Sequence, residues 1–270
     1  MKVGLALGSG GAKGYAHIAY LEVLDQLYIK TSAIAGASMG ALIGAFYASG
    51  MGAREIRRLA ESVSFRSIPH IVDLAGPLDG GIIKGRKIED WIAENLKAKR
   101  FEDLKVPLRI VATDFWRKEQ VVFDSGELVP AIRASISIPG VFEPYSLGGR
   151  LLVDGGVVNP VPIDLLGDAD FVVGIDVSGE RAEEAGKDPG RLEVLLGAYG
   201  IMGQIIMERR AVDEKVSVYL KPTLRGYNSM EFLKAAEIIE SVRDDAEGFR
   251  RALIAAKVDR KARDTDRAAG

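Results

Sequence analysis

"TSAIAGASMGALIGAFYASGM", residues 31–51, decides how this chain is read. It lies in a run from Thr31 to Ala53 that holds no charged residue and is bounded by Lys30 and Arg54. A run of that length can span a bilayer, and Gly36, Gly40 and Gly44 repeat the G-x-x-x-G spacing of packed membrane helices. Its side chains argue otherwise. Only Ile34, Met39, Leu42, Ile43, Phe46 and Met51 are large aliphatic, sulfur-containing or Phe residues. The Ala, Gly and Ser that fill most of the remainder gain little from hydrocarbon. The stretch reads instead as a strand at 33–35, a turn, and a helix at 39–48. Gly36-Ala37-Ser38-Met39-Gly40 is then G-x-S-x-G at a strand-to-helix turn. Such a turn presents a serine on strained backbone, and glycines two residues to either side let strand and helix approach. The five residues alone match often by chance, and a small serine in a close-packed helix is their plainer reading. Their position carries the catalytic one.

Around this stretch, apolar runs at 3–7, 107–115, 119–126, 150–153, 169–177 and 217–220 read as strands. Helical periodicity marks 15–28, 53–63, 86–96, 191–207 and 231–256. This alternation implies an α/β fold whose mainly parallel sheet is covered on both faces. No Pro/Gly/Ser linker interrupts it, so 1–256 is read as a single domain. The charged stretch 257–270, "KVDRKARDTDRAAG", is read as a frayed or disordered tail. Of 270 residues none is Cys, which excludes disulfides, thiol catalysis and Cys-type zinc sites and fits a reducing compartment. A net charge of −2 gives no reason to expect nucleic acid. The first residues are broken by glycine too soon for a signal peptide, so the expected location is cytoplasmic.

"GSGGAKG", 8–14, follows the first strand and opens a helix. It fails the dinucleotide fingerprint, because Lys13 stands where G-x-G-x-x-G needs its last glycine, and no strand-end acid follows 33–35. It fails the Walker A pattern too, because Lys13 precedes Gly14. What remains is a loop whose N–H groups can converge on an anion; beside a serine nucleophile, that is an oxyanion hole.

A serine needs a base, and the only histidines are His17 and His70. His17 reads as a packing residue on a helix, and His70 lies in an irregular segment after Pro69. The usual chain order puts the base histidine last, and no His follows residue 70, which argues against an ordinary triad. A desolvated carboxylate can replace it. Two segments read D-G-G. Asp79 lies in the irregular segment 64–85, where a turn is the plainer role. Asp154 follows "GRLLV" and so sits at a strand end, the edge where open α/β sheets place their sites. Asp154 is the candidate base.

Together, "GSGGAKG", "GASMG", "DGG" and "RASISIPGVFEPYSLGGRLLVDGGVVNPVP" (133–162) resemble the patatin-like phospholipase family, over about residues 3–177. The resemblance implies a three-layer α/β/α fold. It also implies hydrolysis of lipid acyl esters by a Ser38–Asp154 dyad through an acyl-enzyme, with no metal and no cofactor. It makes Gly10, Gly11 and Ala12 the oxyanion-hole amides, and Gly36, Gly40, Gly155 and Lys13 supporting residues. Ser9 departs from the family, where many members have glycine. Lys13 reads equally as a brace of its loop or a substrate contact, and Asp114 as a surface strand-end acid or an orienter of a neighbouring loop. The expected partner is a lipid or acyl-ester substrate, with transient contact to a membrane surface. The alternatives are an esterase or thioesterase acting on small substrates, and a non-catalytic scaffold that binds acyl chains or a membrane partner. Finally, Ile68, Ile71, Val72, Leu74, Ile82 and Ile83 in 64–85 either line an acyl channel or touch lipid or, more plainly, pack a loop on its own core.

Overall fold

The apolar pentapeptide Val3–Leu7 is strand β1, and all five residues are buried. Burial on both faces requires a strand on each side and packing above and below. β1 pairs in parallel with β2 (Thr31–Ala37) and with β7 (Phe171–Ile175). Val3, Leu5 and Leu7 enter the larger core, while Ala6 enters a smaller one with Val161, Ile163, Leu166 and Met207. The computed structural model describes residues 2–75, 82–179, 189–210 and 216–269.

Among these residues one sheet contains eight strands: β1, β2, β3 (Leu108–Asp114), β4 (Glu119–Phe123), β5 (Tyr145–Leu147), β6 (Arg150–Asp154), β7 and β8 (Val218–Leu220). Its centre is parallel, as expected, in the order β3-β2-β1-β7-β8. The pairs β3–β4, β3–β6 and β5–β6 are antiparallel. The helices are α1 (His17–Gln26), α2 (Met39–Ala48), α3 (Ala53–Ser62), α4 (Ile68–Ile71), α5 (Arg86–Asn95), α6 (Leu128–Ser135), α7 (Arg191–Arg210), α8 (Ala235–Ser241) and α9 (Arg243–Ala269).

Some elements depart from the sequence expectation. The helix read at 15–28 begins as a tight 3-10 stretch, Gly11–Ala16, before α1. The helix read at 231–256 is divided at Val242 into α8 and α9, and α9 continues through 257–269. The short α6, with Pro130 in its first turn, and the three-residue β5 offer too little periodicity to be read from sequence.

The register of β3 places the site. Ile110 and Val111 pair with β2 on one side and β4 on the other. Ala112 to Asp114 pair with β4 and with β6. A strand has two edges, so β2 and β6 share one of them, end to end. Ala37, the last residue of β2, lies opposite Val111, and Asp154, the last of β6, lies opposite Ala112. The residue after Ala37 is Ser38.

The uncharged stretch is accounted for by this arrangement. β2 is an interior strand, and nine of the ten residues of α2 are buried. Among the described residues no helix is long and apolar enough to cross a membrane. Close approach explains the glycines: a Cβ on Gly36 would lie 2.7 Å from the Ala41 backbone, and one on Gly40 only 2.1 Å from Leu7 O. Strand and helix could not meet with anything larger. By contrast, a Cβ on Gly197, inside α7, would meet nothing within 4 Å. Gly40→Ala is therefore expected to lose about 3 kcal/mol or more, or to fail to fold. Gly197→Ala is expected to gain roughly 0.5–1 kcal/mol from helix propensity and a stiffer unfolded chain. Urea denaturation of the two variants checks both signs.

Candidate active site

Ser38 joins β2 to α2 with φ 55° and ψ −124°. Such backbone costs a non-glycine residue about 1–3 kcal/mol, so the surroundings must hold it. One hold is direct: the Ser38 N–H donates to Ser135 Oγ at 2.9 Å. Ser38 itself is buried.

Asp154 is also fully buried, at the end of β6. Its N–H donates to Ser137 O at 2.9 Å, and its carbonyl accepts from Thr113 Oγ1 at 2.8 Å. On the carboxylate, Oδ1 accepts from the Gly156 N–H and from the Tyr199 hydroxyl, each at 2.8 Å. Oδ2 makes no hydrogen bond of ordinary geometry. Burial pushes the Asp154 carboxyl up from 3.8 to about 6, against the opposing pull of Ser38, Gly156 and Tyr199. The Ser38 hydroxyl is thus near enough to act on Asp154. A carboxyl titrating near 6 is a better proton acceptor than an ordinary one and is still largely ionised at neutral pH. Gly155 secures the turn after it, since a Cβ there would lie 2.1 Å from Val111 O. The second D-G-G, Asp79 to Gly81, lies outside the described residues.

The glycine loop lies beside Ser38, and Gly11 and Ser38 line the same cavities. Its three expected donors are not equivalent. The Ala12 N–H donates to Ser229 O at 2.9 Å, so that amide is committed. Among the described residues, neither the Gly10 nor the Gly11 N–H donates to a backbone carbonyl. Lys13 is buried and donates from Nζ to Ser178 O at 2.7 Å, which ties the loop to the segment after β7. His17 is buried and donates from Nε2 to Gly8 O at 2.8 Å. Burial drives its pKa down to about 4, so it is neutral at pH 7 and braces the same loop. His70 is exposed on α4. Asp114 is a correction: it is not a surface acid but only 2% exposed. It accepts from the Trp116 and Arg117 amides and faces Arg117 and Arg150, because it closes the turn between β3 and β4.

From Ser38 a cavity of about 330 Å³ extends among nearly all-apolar side chains. Leu42, Ile43 and Phe46 of α2 line it, with Trp91 of α5 and Met230 and Phe232 from the chain before α8. Ile68, Ile71, Val72 and Ile83 complete the wall, while Leu74 and Ile82 are 72% and 49% exposed. Four of the six apolar residues expected in 64–85 therefore line a channel and do not merely pack their own loop. A second, smaller cavity of about 50 Å³ touches Ser38 on its Gly156 and Tyr199 side.

A family model described as patatin-like phospholipase matches residues 5–166. The chain belongs to the patatin-like phospholipase family. An uncharacterized NTE family protein of Mycobacterium tuberculosis is 39% identical over 186 residues, which are 68% of this chain and 51% of that protein. Neuropathy target esterase sws of Drosophila melanogaster is 30% identical over 185 residues, 66% of this chain and 13% of that protein. The chain thus spans about half the length of its mycobacterial relatives. VipD from Legionella pneumophila has the same fold, with a TM-score of 0.61 at 14% identity over 93% of this chain and 67% of that one.

Of three further residues of this patatin-like site, Ser135 and Arg133 lie in a quoted motif that does not reveal their roles, and Tyr199 carries no local sequence signal. Ser135 and Tyr199 reach Ser38 and Asp154 from distant segments. Arg133, almost wholly buried, donates to Ser137 Oγ at 2.6 Å and to the carbonyls of Lys84 and Glu143 at 2.6 and 3.1 Å. It also lies over the rings of Phe142 and Tyr145. It therefore fastens the cavity wall near Ile83 to the segment that orients Asp154. Only "RASIS" hinted at it, as part of a motif.

Buried titrating groups make stability depend on pH. Asp154 has a native pKa raised from 3.8 to about 6, so the native state gains stability as pH falls from 6 to 3.8, and above 6 the buried charge is a standing cost. His17, lowered from 6.5 to about 4, works oppositely: stability is lost as pH falls from 6.5 to 4. Together the two nearly cancel. Asp154→Asn is expected to be more stable than the parent at pH 7 by on the order of 2–3 kcal/mol, and to lose stability below pH 6.5 more steeply than the parent does. Urea unfolding between pH 7.5 and 4.5 measures both. A variant no more stable than its parent at pH 7 contradicts this assignment.

Proposed function

We propose that this chain hydrolyses acyl esters of lipids, phospholipid or lysophospholipid, with Ser38 as nucleophile and Asp154 as base. The observation that carries this reading is a strained, buried serine that lines an apolar cavity and stands beside an ionisable carboxylate. Ser38 attacks the ester carbonyl while Asp154 accepts its proton at the oxygen left without a partner. The Gly10 and Gly11 amides, without Ala12, stabilise the oxyanion; each such donor is worth about 3–4 kcal/mol of barrier. Protonated Asp154 returns the proton to the leaving alkoxide. The small cavity on the Asp154 side has room for the water that then attacks the acyl-enzyme, with Asp154 again the acceptor. The acyl chain occupies the apolar cavity, whose volume lies at the small end for ligand sites. That fits one acyl chain better than two. Family membership and the named esterase relative support the same reaction class.

Ser38→Ala and Asp154→Asn should each lower ester hydrolysis by about 10³-fold or more while leaving the fold intact. A fluorophosphonate probe should label the parent at Ser38 and not the Ser38→Ala variant. An unlabelled parent would support the scaffold reading instead.

The cavity makes a separate prediction. Ile71→Trp fills the channel from its outer wall, so kcat/KM for a twelve-carbon nitrophenyl ester should fall roughly tenfold relative to the butyrate ester. Equal losses on both esters would place the acyl chain elsewhere.

A further inference from the structure

The dyad leaves Tyr199 unexplained. It comes from α7, a helix whose charged residues, Arg191, Glu193, Glu208, Arg209 and Arg210, stand at its two ends. Its hydroxyl donates to Asp154 Oδ1 at 2.8 Å and accepts from the Ser9 hydroxyl. Burial, then the neighbouring Asp154 charge, pushes the phenol well above its ordinary 10, so it stays a donor at any working pH. Ser9 is also the residue that departs from the family's glycine. The two features meet over Gly156, where a Cβ would lie 2.3 Å from the Tyr199 hydroxyl and 2.5 Å from Ser9 Oγ. That glycine leaves space for the pair.

We propose that Tyr199 is a positioning residue of this hydrolase, holding Asp154 by Oδ1 so that Oδ2 is left to take the Ser38 proton, and that Ser9 holds Tyr199 in turn. The chain Ser9–Tyr199–Asp154 links the glycine loop to the base. The oxyanion donors and the proton acceptor are thereby fixed to each other as well as to the sheet. Tyr199 transfers no proton. It fixes which carboxylate oxygen faces the serine, and it favours the ionised form that the base must have. Without it, the carboxylate keeps only the Gly156 amide on Oδ1 and can rotate.

Among the described residues no other charged group competes for the effect. Ser38, the Gly156 amide and Tyr199 are the groups that act on the Asp154 carboxyl. Titratable groups on the surrounding elements are held elsewhere. Asp114 holds the β3–β4 turn, Arg133 bonds the Lys84 and Glu143 carbonyls, His17 bonds Gly8 O, and Asp176 accepts from Tyr219.

This inference rests on the dyad proposed above, and the test separates the two. The pH dependence of kcat/KM for a nitrophenyl ester, and of the rate of fluorophosphonate labelling, is measured for the parent, Tyr199→Phe and Ser9→Ala. In the parent, both should rise through an acid limb near pH 6, where Asp154 ionises. Tyr199→Phe keeps the ring and removes one donor to the charged form, so the limb should move up by roughly one pH unit. At pH 6 the rate should fall about fivefold, and the deficit should shrink at pH 8. Ser9→Ala should move the limb in the same direction by less. A residue that merely packed α7 would lower the rate at all pH values and leave the limb in place; that result overturns the role of Tyr199 while the dyad stands. If circular dichroism shows Tyr199→Phe unfolded, Ser9→Ala decides, and an unmoved limb there overturns the proposal. A parent that never labels at Ser38 overturns the dyad and the role of Tyr199 with it.

Discussion

Strand β3 has two edges, and three strands use them. β4 occupies one along its length, while β2 and β6 meet end to end on the other, opposite Val111 and Ala112. The whole site follows from that junction. β2 is parallel to β3 and β6 antiparallel, so their C-terminal ends converge on the same point. One end delivers Ser38 and the other Asp154. Strand ends in a sheet are fixed by backbone hydrogen bonds, so two side chains far apart in sequence are brought together without relying on a flexible loop. A Cβ on Gly155 would collide with Val111 O, and one on Gly40 with Leu7 O of the neighbouring strand, so the site has little room.

Such a junction concentrates unfavourable features. Ser38 has backbone that suits glycine, Asp154 carries a buried charge, and one of its oxygens lacks a bonded partner. Each would relax if its neighbours allowed. What prevents it is a ring of long-range bonds: Ser135 to Ser38, Ser137 and Thr113 to the Asp154 backbone, Lys13 to Ser178, and His17 to Gly8. The bracing groups are themselves buried, so their own bonds are not weakened by water. His17 illustrates the division of labour. It is the residue type that a serine hydrolase most often uses as base, yet here burial keeps it neutral and its proton is spent on the loop.

Much of this was legible in the sequence, for a local reason. Periodicity and glycine spacing are short-range signals, so they bound β1 and α2 closely and place Ser38 and Asp154 at strand ends, but do not bring the two together. The failure of two nucleotide patterns and the scarcity of histidine did as much as any positive match. The remainder depends on contacts that no local pattern records. Nothing local separates Ala12 from Gly10 and Gly11; it is Ser229, far along the chain, that takes its amide. Asp114 looked like a surface acid because strand ends usually face solvent, but β4 and β6 enclose it. Tyr199 lies in an apolar helix with nothing around it to suggest a carboxylate.

Helix α7 has two apolar sides. Leu192 and Leu196 pack on the cluster of Ile138, Val141 and Phe142, and Tyr199 reaches Asp154. Val194, Leu195, Ile201, Met202 and Ile205 face outward and are exposed. A helix in an ordinary globular surface would be polar on that second side. The same helix therefore joins an exposed apolar stripe to the oxygen of the carboxylate. Its seating determines whether Tyr199 reaches Asp154, and its inner face is almost devoid of charge that could disturb that carboxyl. A displacement of α7 would reach the Asp154 carboxylate directly through one hydrogen bond, because the strands fix the Asp154 backbone but only Gly156 and Tyr199 hold its Oδ1.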